Sequence, residues 1–181
     1  MGFKNRENMF IMRRTVLYMA ISLDGFIADE NGGIGWLNKY DGGEMYNEFL
    51  RTVDTVVMGR RTYNQIINEL SPDKWVYEGL KSYVATKYPS GDKNGIEFTN
   101  DVFRLLKELK KEDGKDIWIC GGAFTAEKLI KEGIIDRYHI TVIPILLGNG
   151  IRLFKKGMPV CELKLMSLKS QNGLCELIYD I

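Results

Sequence analysis

The sequence predicts an α/β protein built on a mostly parallel, doubly wound sheet that finishes in an antiparallel hairpin. Three observations carry this. Short β-branched or apolar runs alternate with segments of helical periodicity between Thr15 and Ile143. Glycines stand where those runs give way to helices, at Gly59 and at Gly121-Gly122. The C-terminal stretch from Glu162 to Ile181 then switches to strand alternation around Asn172-Gly173, a pair that favours a tight hairpin turn.

Residues 1–13 read as a loose extension, and 14–181 as one domain. Thr15–Ile21 is a β-branched and aromatic run, hence a buried strand. The connection from Ser22 to Gly43 is punctuated by Gly25, Gly32, Gly33, Gly35, Gly42 and Gly43; so long a connection in a compact domain marks a functional loop. Met45, Tyr46, Phe49, Leu50 and Val53 share one face at helical spacing. Thr55–Met58 is a short strand, and Tyr63, Ile66, Ile67 and Leu70 form a helical stripe stopped near Ser71-Pro72. Ser82–Thr86 and Ile96–Phe98 are strands. Asn100 or Asp101 caps a helix carrying Val102, Leu105, Leu106 and Leu109, which Gly114 ends. Asp116–Cys120 is a strand, Ala123–Glu132 a helix closed by Gly133, and Tyr138–Ile143 a strand ended by Pro144. Glu162–Lys169 and Leu174–Ile181 make the hairpin.

Composition narrows the function. Of 181 residues, 45% are apolar, enough for a core, and Lys plus Arg (25) nearly balances Asp plus Glu (24). A net charge of +1 gives no electrostatic footprint for nucleic acid. Cys120, Cys161 and Cys175 have no C-x-x-C spacing and read as reduced thiols. No apolar run approaches the roughly 20 residues of a membrane span. The expectation is a cytoplasmic protein with a small-molecule substrate, no metal, no nucleic acid and no membrane, a homodimer being left open.

Gly121-Gly122 lies between a strand and a helix start, where free N–H groups attract phosphates and glycine allows close approach; a plain tight turn is the alternative. Gly59-Arg60-Arg61-Thr62 follows a second strand, and Thr86-Lys87 a third. Cations are misplaced at a helix N-terminus, which favours an anionic ligand there over a solvated helix start. Three such junctions suggest one extended nucleotide groove. His139, the only histidine, sits mid-strand, where a structural role is the commoner one. The remaining proton-handling groups are carboxylates. Glu44 ranks first, Asp41 second and Glu48 third, on the reasoning that a helix beside Met45 and Phe49 half-buries an acid. Asp24, in an Asp-Gly pair, reads as a turn residue.

The segments Ala20–Ala28 (AISLDGFIA), Val57–Tyr63 (VMGRRTY) and Ile119–Ala123 (ICGGA), with Tyr138–Pro144 (YHITVIP) and Leu147–Phe154 (LGNGIRLF), resemble the dihydrofolate reductase superfold. The match is closest to the reductase domain of the bifunctional riboflavin-biosynthesis deaminase–reductases, and it runs from about Thr15 to the C-terminus. The resemblance implies a three-layer fold and an NADPH-dependent reductase of a small heterocycle, of the 5-amino-6-(5-phosphoribosylamino)uracil reductase type. A pterin reductase and a non-catalytic NADPH-binding module are the alternatives. It further implies that Ala20 and Ile27 touch the nicotinamide. Gly59, Arg60, Arg61 and Thr62 would lie under the adenosine phosphates, with Arg60 on the 2′-phosphate. Thr86 and Lys87 fall on the adenosine side, and Gly121, Gly122, Ala123, Phe124 and Thr125 at the pyrophosphate. Thr141 falls where folate reductases carry a threonine bound to their catalytic carboxylate. Two departures stand out: no arginine lies between Thr62 and Phe103 to grip a folate tail, and the H-x-E and P-C-x-x-C of a zinc deaminase are absent.

Overall fold

The computed structural model describes residues 12–89 and 95–181; residues 1–11 of the expected extension lie outside them. In chain order the strands are β1 (Thr15–Ser22), β2 (Phe26–Ala28), β3 (Val53–Gly59), β4 (Lys81–Ala85), β5 (Ile96–Thr99), β6 (Asp116–Gly121), β7 (Arg137–Ile143), β8 (Ile151–Arg152), β9 (Lys164–Gln171) and β10 (Leu174–Asp180). The helices are α1 (Gly43–Leu50), α2 (Arg60–Gln65), α3 (Val102–Leu109) and α4 (Ala123–Lys131); α2 runs on as a π-helical turn over Ile66–Leu70.

The main sheet has the order β5-β4-β3-β6-β1-β7-β10-β9. It is parallel from β5 to β7, and β10 and β9 join antiparallel. Successive side chains alternate across it and build two cores. Leu17, Val57, Ile117, Ile119 and Ile140 meet Leu106 of α3 and Leu129 of α4 on one face. Val16, Val56, Met58 and Trp118 meet Phe49 of α1 and Tyr63 of α2 on the other. That is the expected three-layer, dihydrofolate reductase-like α/β fold. The glycine-punctuated connection holds the short β2–β8 pair and a 3-10 turn over Gly35–Lys39.

Local chemistry explains several boundaries. The Asp101 carboxylate accepts the Arg104 backbone N–H at 3.0 Å, which decides the cap of α3. Asn172 and Gly173 both take positive φ, 53° and 80°, as the tight β9–β10 turn requires.

Four expectations need correction. Arg13 is not part of a loose extension: its buried guanidinium donates to the Lys115 carbonyl, to Asp54 and to Thr55, pinning the chain just before β1. Val53 belongs to β3, because α1 ends at Leu50. Leu70 is half exposed, since the π turn rotates it out of the stripe. Gly114 does not cap α3, which stops at Leu109; a Cβ there would come within 2.6 Å of Asp54 and 2.9 Å of Arg13, so it makes room for that ion pair.

Candidate active site

Strand order assembles the first part of the site. Because β6 lies between β3 and β1, the strand ends at Gly59 and Gly121 sit side by side. A Cβ on Gly59 would lie 2.6 Å from Thr125 Oγ1, and one on Gly122 would lie 3.1 Å from Thr62 Oγ1. Gly121, whose peptide bond to Gly122 is cis, has a φ of +124°, which L side chains rarely adopt. Both glycines leave a shallow cradle walled by two threonine hydroxyls. It opens onto the first turn of α4, where Thr125 and Ala126 N–H groups return to the Gly122 carbonyl.

Gly59 is also in register with Ala85 of β4, which brings Arg60 to Thr86. Arg60 Nε donates to Thr86 Oγ1 at 3.4 Å and Nη2 to the Tyr88 carbonyl at 3.3 Å, while the guanidinium lies 4.6 Å from the Phe98 ring centroid. The three junctions predicted from sequence therefore lie side by side at the ends of β4, β3 and β6. Three members turn away or out to solvent. Arg61 turns away, its guanidinium packed against Gly32 of the loop after β2, and Gln65 of α2 holds the same loop through the Gly32 carbonyl at 2.9 Å. Phe124 is 62% exposed, with the Lys128 ammonium 4.5 Å over its ring. Lys87 is exposed as well.

The second part lies on the α1 face of the sheet. Tyr18 pairs in register with His139, and Ala20 with Thr141; Thr141 in turn pairs with Glu176 of β10. Tyr18 stacks on Phe49 at 4.0 Å and meets the His139 ring edge-on at 4.7 Å. Tyr46, Trp118 and Tyr77 continue this aromatic wall. His139, Thr141 and Glu176 are all buried. His139 Nε2 lies 2.7 Å from Glu176 Oε1, yet the contact is poorly aligned for a hydrogen bond and neither atom has another protein partner. Thr141 Oγ1 is likewise buried and unpartnered, as is Trp36 Nε1. Burial pushes the His139 imidazole below its usual pKa, with Glu176 acting in the opposite direction. Burial also raises Tyr18, Tyr77 and Tyr46, the last to about 12. Cys120, 3.2 Å from the Tyr77 hydroxyl, is pushed up to about 11 by burial and stays a thiol.

The candidate acids of α1 stand elsewhere. Glu44 is exposed and accepts from Gln171 Nε2 at 2.8 Å, and Glu48 pairs with Lys169 at 2.6 Å. Asp41 is exposed and accepts the Gly43 N–H at 2.9 Å. The half-burial expected of Glu44 does not occur, because Met45 and Phe49 occupy the inward face of α1 and turn Glu44 and Glu48 towards β9. Asp24 is a turn residue, as expected, and more: it takes the Ser22 hydroxyl at 2.6 Å and the Gly148 N–H at 2.8 Å. Those bonds, the Ser22 one first, hold its carboxyl down to about 2. Sequence reading missed Tyr18 and Glu176. The signal for Glu176 was present in Leu174-Cys175-Glu176-Leu177-Ile178, where the charge falls on the strand face of Leu174 and Ile178.

Residues 13–177 match the RibD C-terminal domain family. The chain belongs to that family. It is 41% identical over 171 residues to the uncharacterized protein YwjB of Bacillus subtilis, covering 92% of this chain and 97% of that protein. A crystal structure described as a putative riboflavin biosynthesis protein from Shewanella sp. PV-4 superposes with a TM-score of 0.77 at 27% identity, covering 92% of this chain and 98% of that one. Dihydrofolate reductase from Enterococcus faecalis, solved in complex with NADP(H), shares the fold with a TM-score of 0.65 at 17% identity, covering 92% of this chain and 95% of that one. The family is thus one of riboflavin-related oxidoreductases on a dihydrofolate reductase-like fold. No helix among the described residues is long and apolar enough to cross a membrane.

Proposed function

We propose that the protein is an NADPH-dependent reductase of a small planar heterocycle, of the 5-amino-6-(5-phosphoribosylamino)uracil reductase type. The observation that carries this reading is the cradle at Gly59 and Gly122, which any Cβ would fill. A pyrophosphate would be held there by the Ala123 and Phe124 N–H groups, which precede the first intrahelical bonds of α4, and by the Thr62 and Thr125 hydroxyls. Arg60, braced by Thr86 and Phe98, would pair with a 2′-phosphate, and Ala20 and Ile27 would face the nicotinamide ring. When bound, reduced nicotinamide supplies a hydride. The chain's part is to hold the acceptor against Ala20, exclude water with the aromatic wall of Tyr18, Tyr46 and Trp118, and provide a proton. The absence of an arginine between Thr62 and Phe103 favours an aminopyrimidine over a folate, whose tail needs a charge-assisted clamp.

Titration with NADPH, read by the fluorescence of Trp36, Trp75 and Trp118, tests the cofactor; no binding at millimolar NADPH ends the reading. Loss of NADPH absorbance with the phosphoribosylaminouracil, but not with dihydrofolate, is the expected substrate result. The reverse preference would make it a pterin reductase, and no loss with either a non-catalytic module. Strand β9 is an open sheet edge with Leu165, Met166 and Leu168 exposed, which supports pairing with a second copy of the chain. Light scattering that returns the mass of one chain would remove that part.

A further inference from the structure

A reduction at C=N consumes a hydride on carbon and a proton on nitrogen, so a reductase needs an acid within reach of the cleft. The acids of α1, Glu44 and Glu48, and Asp41 just before it are exposed and engaged with Gln171, Lys169 and a backbone N–H respectively. Glu176 is the carboxylate that is buried on this face, 3% exposed, and the cation nearest to it is an imidazole, not a Lys or Arg. A buried carboxylate without a fixed cation is costly, and a buried polar atom without a partner calls for a role. His139 Nε2 and Glu176 Oε1 lie 2.7 Å apart, and Thr141 Oγ1, a third such atom, is in register with Glu176 on one side and Ala20 on the other.

We propose that the proton for the reduction is held by the buried His139–Glu176 pair and enters the cleft through the Thr141 hydroxyl, and that no carboxylate of α1 supplies it. The inference rests on the reductase reading. In the step, Thr141 passes its hydroxyl proton to the acceptor nitrogen and takes one from the pair, while the acceptor carbon takes the hydride and the nicotinamide is oxidised. The pair, one proton short, refills from water. Thr141 is the residue that touches substrate; Glu176 and His139 act through it. The charged and titratable groups around the pair are Tyr18 on β1, Arg137 on β7, Lys169 on β9, opposite Glu176 in register, and Glu48 on α1, which holds the Lys169 ammonium, with Glu44 nearby. Burial pushes the imidazole below its usual pKa and Glu176 opposes this, so the pair carries its proton on the acid side of neutrality.

His139 is the only histidine, so its ring signals in a ¹⁵N NMR spectrum need no assignment. In Glu176→Gln the imidazole midpoint should fall by about one pH unit or more, since its anionic partner is gone; an unchanged midpoint overturns the pair. Delivery is read with 2,4-diaminopteridine, a planar heterocycle with a basic ring nitrogen whose absorption shifts on protonation. Above its own ring pKa it should bind the wild type as the protonated form and Glu176→Gln as the neutral form. Thr141→Val, which keeps the shape of the pocket, should bind it at least tenfold more weakly. A wild type that leaves the probe unbound or neutral overturns the proposal, as does protonation that survives Glu176→Gln and disappears in Glu44→Gln or Asp41→Asn. Neither reading uses NADPH, so a failed cofactor titration would sink the reductase reading while these outcomes judge the proton path.

Discussion

The junction at the ends of β3 and β6 is built of backbone and small residues, Gly59, Thr62, Gly122 and Thr125, whereas the cluster under α1 is built of side chains, Tyr18, His139, Thr141 and Glu176. In the first each contributing segment is a contiguous motif where a strand gives way to a helix. In the second each of three strands contributes one or two residues, and the register alone brings them together. A surface made of glycine and helix N–H groups suits a large anion that must approach the backbone. A surface made of buried, unpartnered polar atoms suits a small proton-bearing edge. The first region is defined by what is missing from it, a Cβ, and the second by polar atoms that packing has shut in.

Filling the junction should have the largest effect. Gly59→Val places two methyl groups where a single Cβ already lies 2.6 Å from Thr125 Oγ1. NADPH affinity should fall about 100-fold, the scale of an overpacked site. The fluorescence titration measures it, and the His139 NMR signals should stay in place; a comparable change there would mean that the two regions are not independent. Next, Arg60→Ala should weaken NADPH roughly tenfold or more, as for a charged hydrogen bond, and leave NADH within a few-fold. Equal losses for the two cofactors would make the Arg60–Phe98 contact structural.

The cluster should show itself in pH. The folded-state pKa of His139 lies below the ordinary value of 6.5, so the unfolded chain takes up a proton first as pH falls. Stability should hold above pH ~6.5 and decline as pH drops from there towards the folded-state value, by at most about 1.4 kcal/mol per pH unit. Thermal melts across pH 5 to 7.5 test this against His139→Gln, in which the slope over that window should flatten. A slope that survives must come from another group. Smallest of all, Asp101→Ala should cost about 1 kcal/mol, the value of a helix cap, with NADPH affinity unchanged.

Element order, the two-faced apolar patterning, the hairpin turn at Asn172-Gly173 and the glycine junctions at Gly59 and Gly121-Gly122 were legible in the sequence. Each of these depends on neighbours within a few residues: alternation, helical spacing, or a backbone angle that glycine favours. Arg60 was legible for the same reason, as a cation at the wrong end of a helix. Which carboxylate beside α1 is buried was settled by packing between distant elements. Helical spacing placed Glu44 and Glu48 beside Met45 and Phe49, but the side of the helix that turned to solvent depended on β9, which supplies Gln171 and Lys169 from more than a hundred residues away. Glu176 gave a single charged position in an apolar strand face. What it meets, His139 and Thr141, follows from β10 pairing with β7, and pairing between strands is a contact energy summed over the whole sheet, not a property of either strand alone.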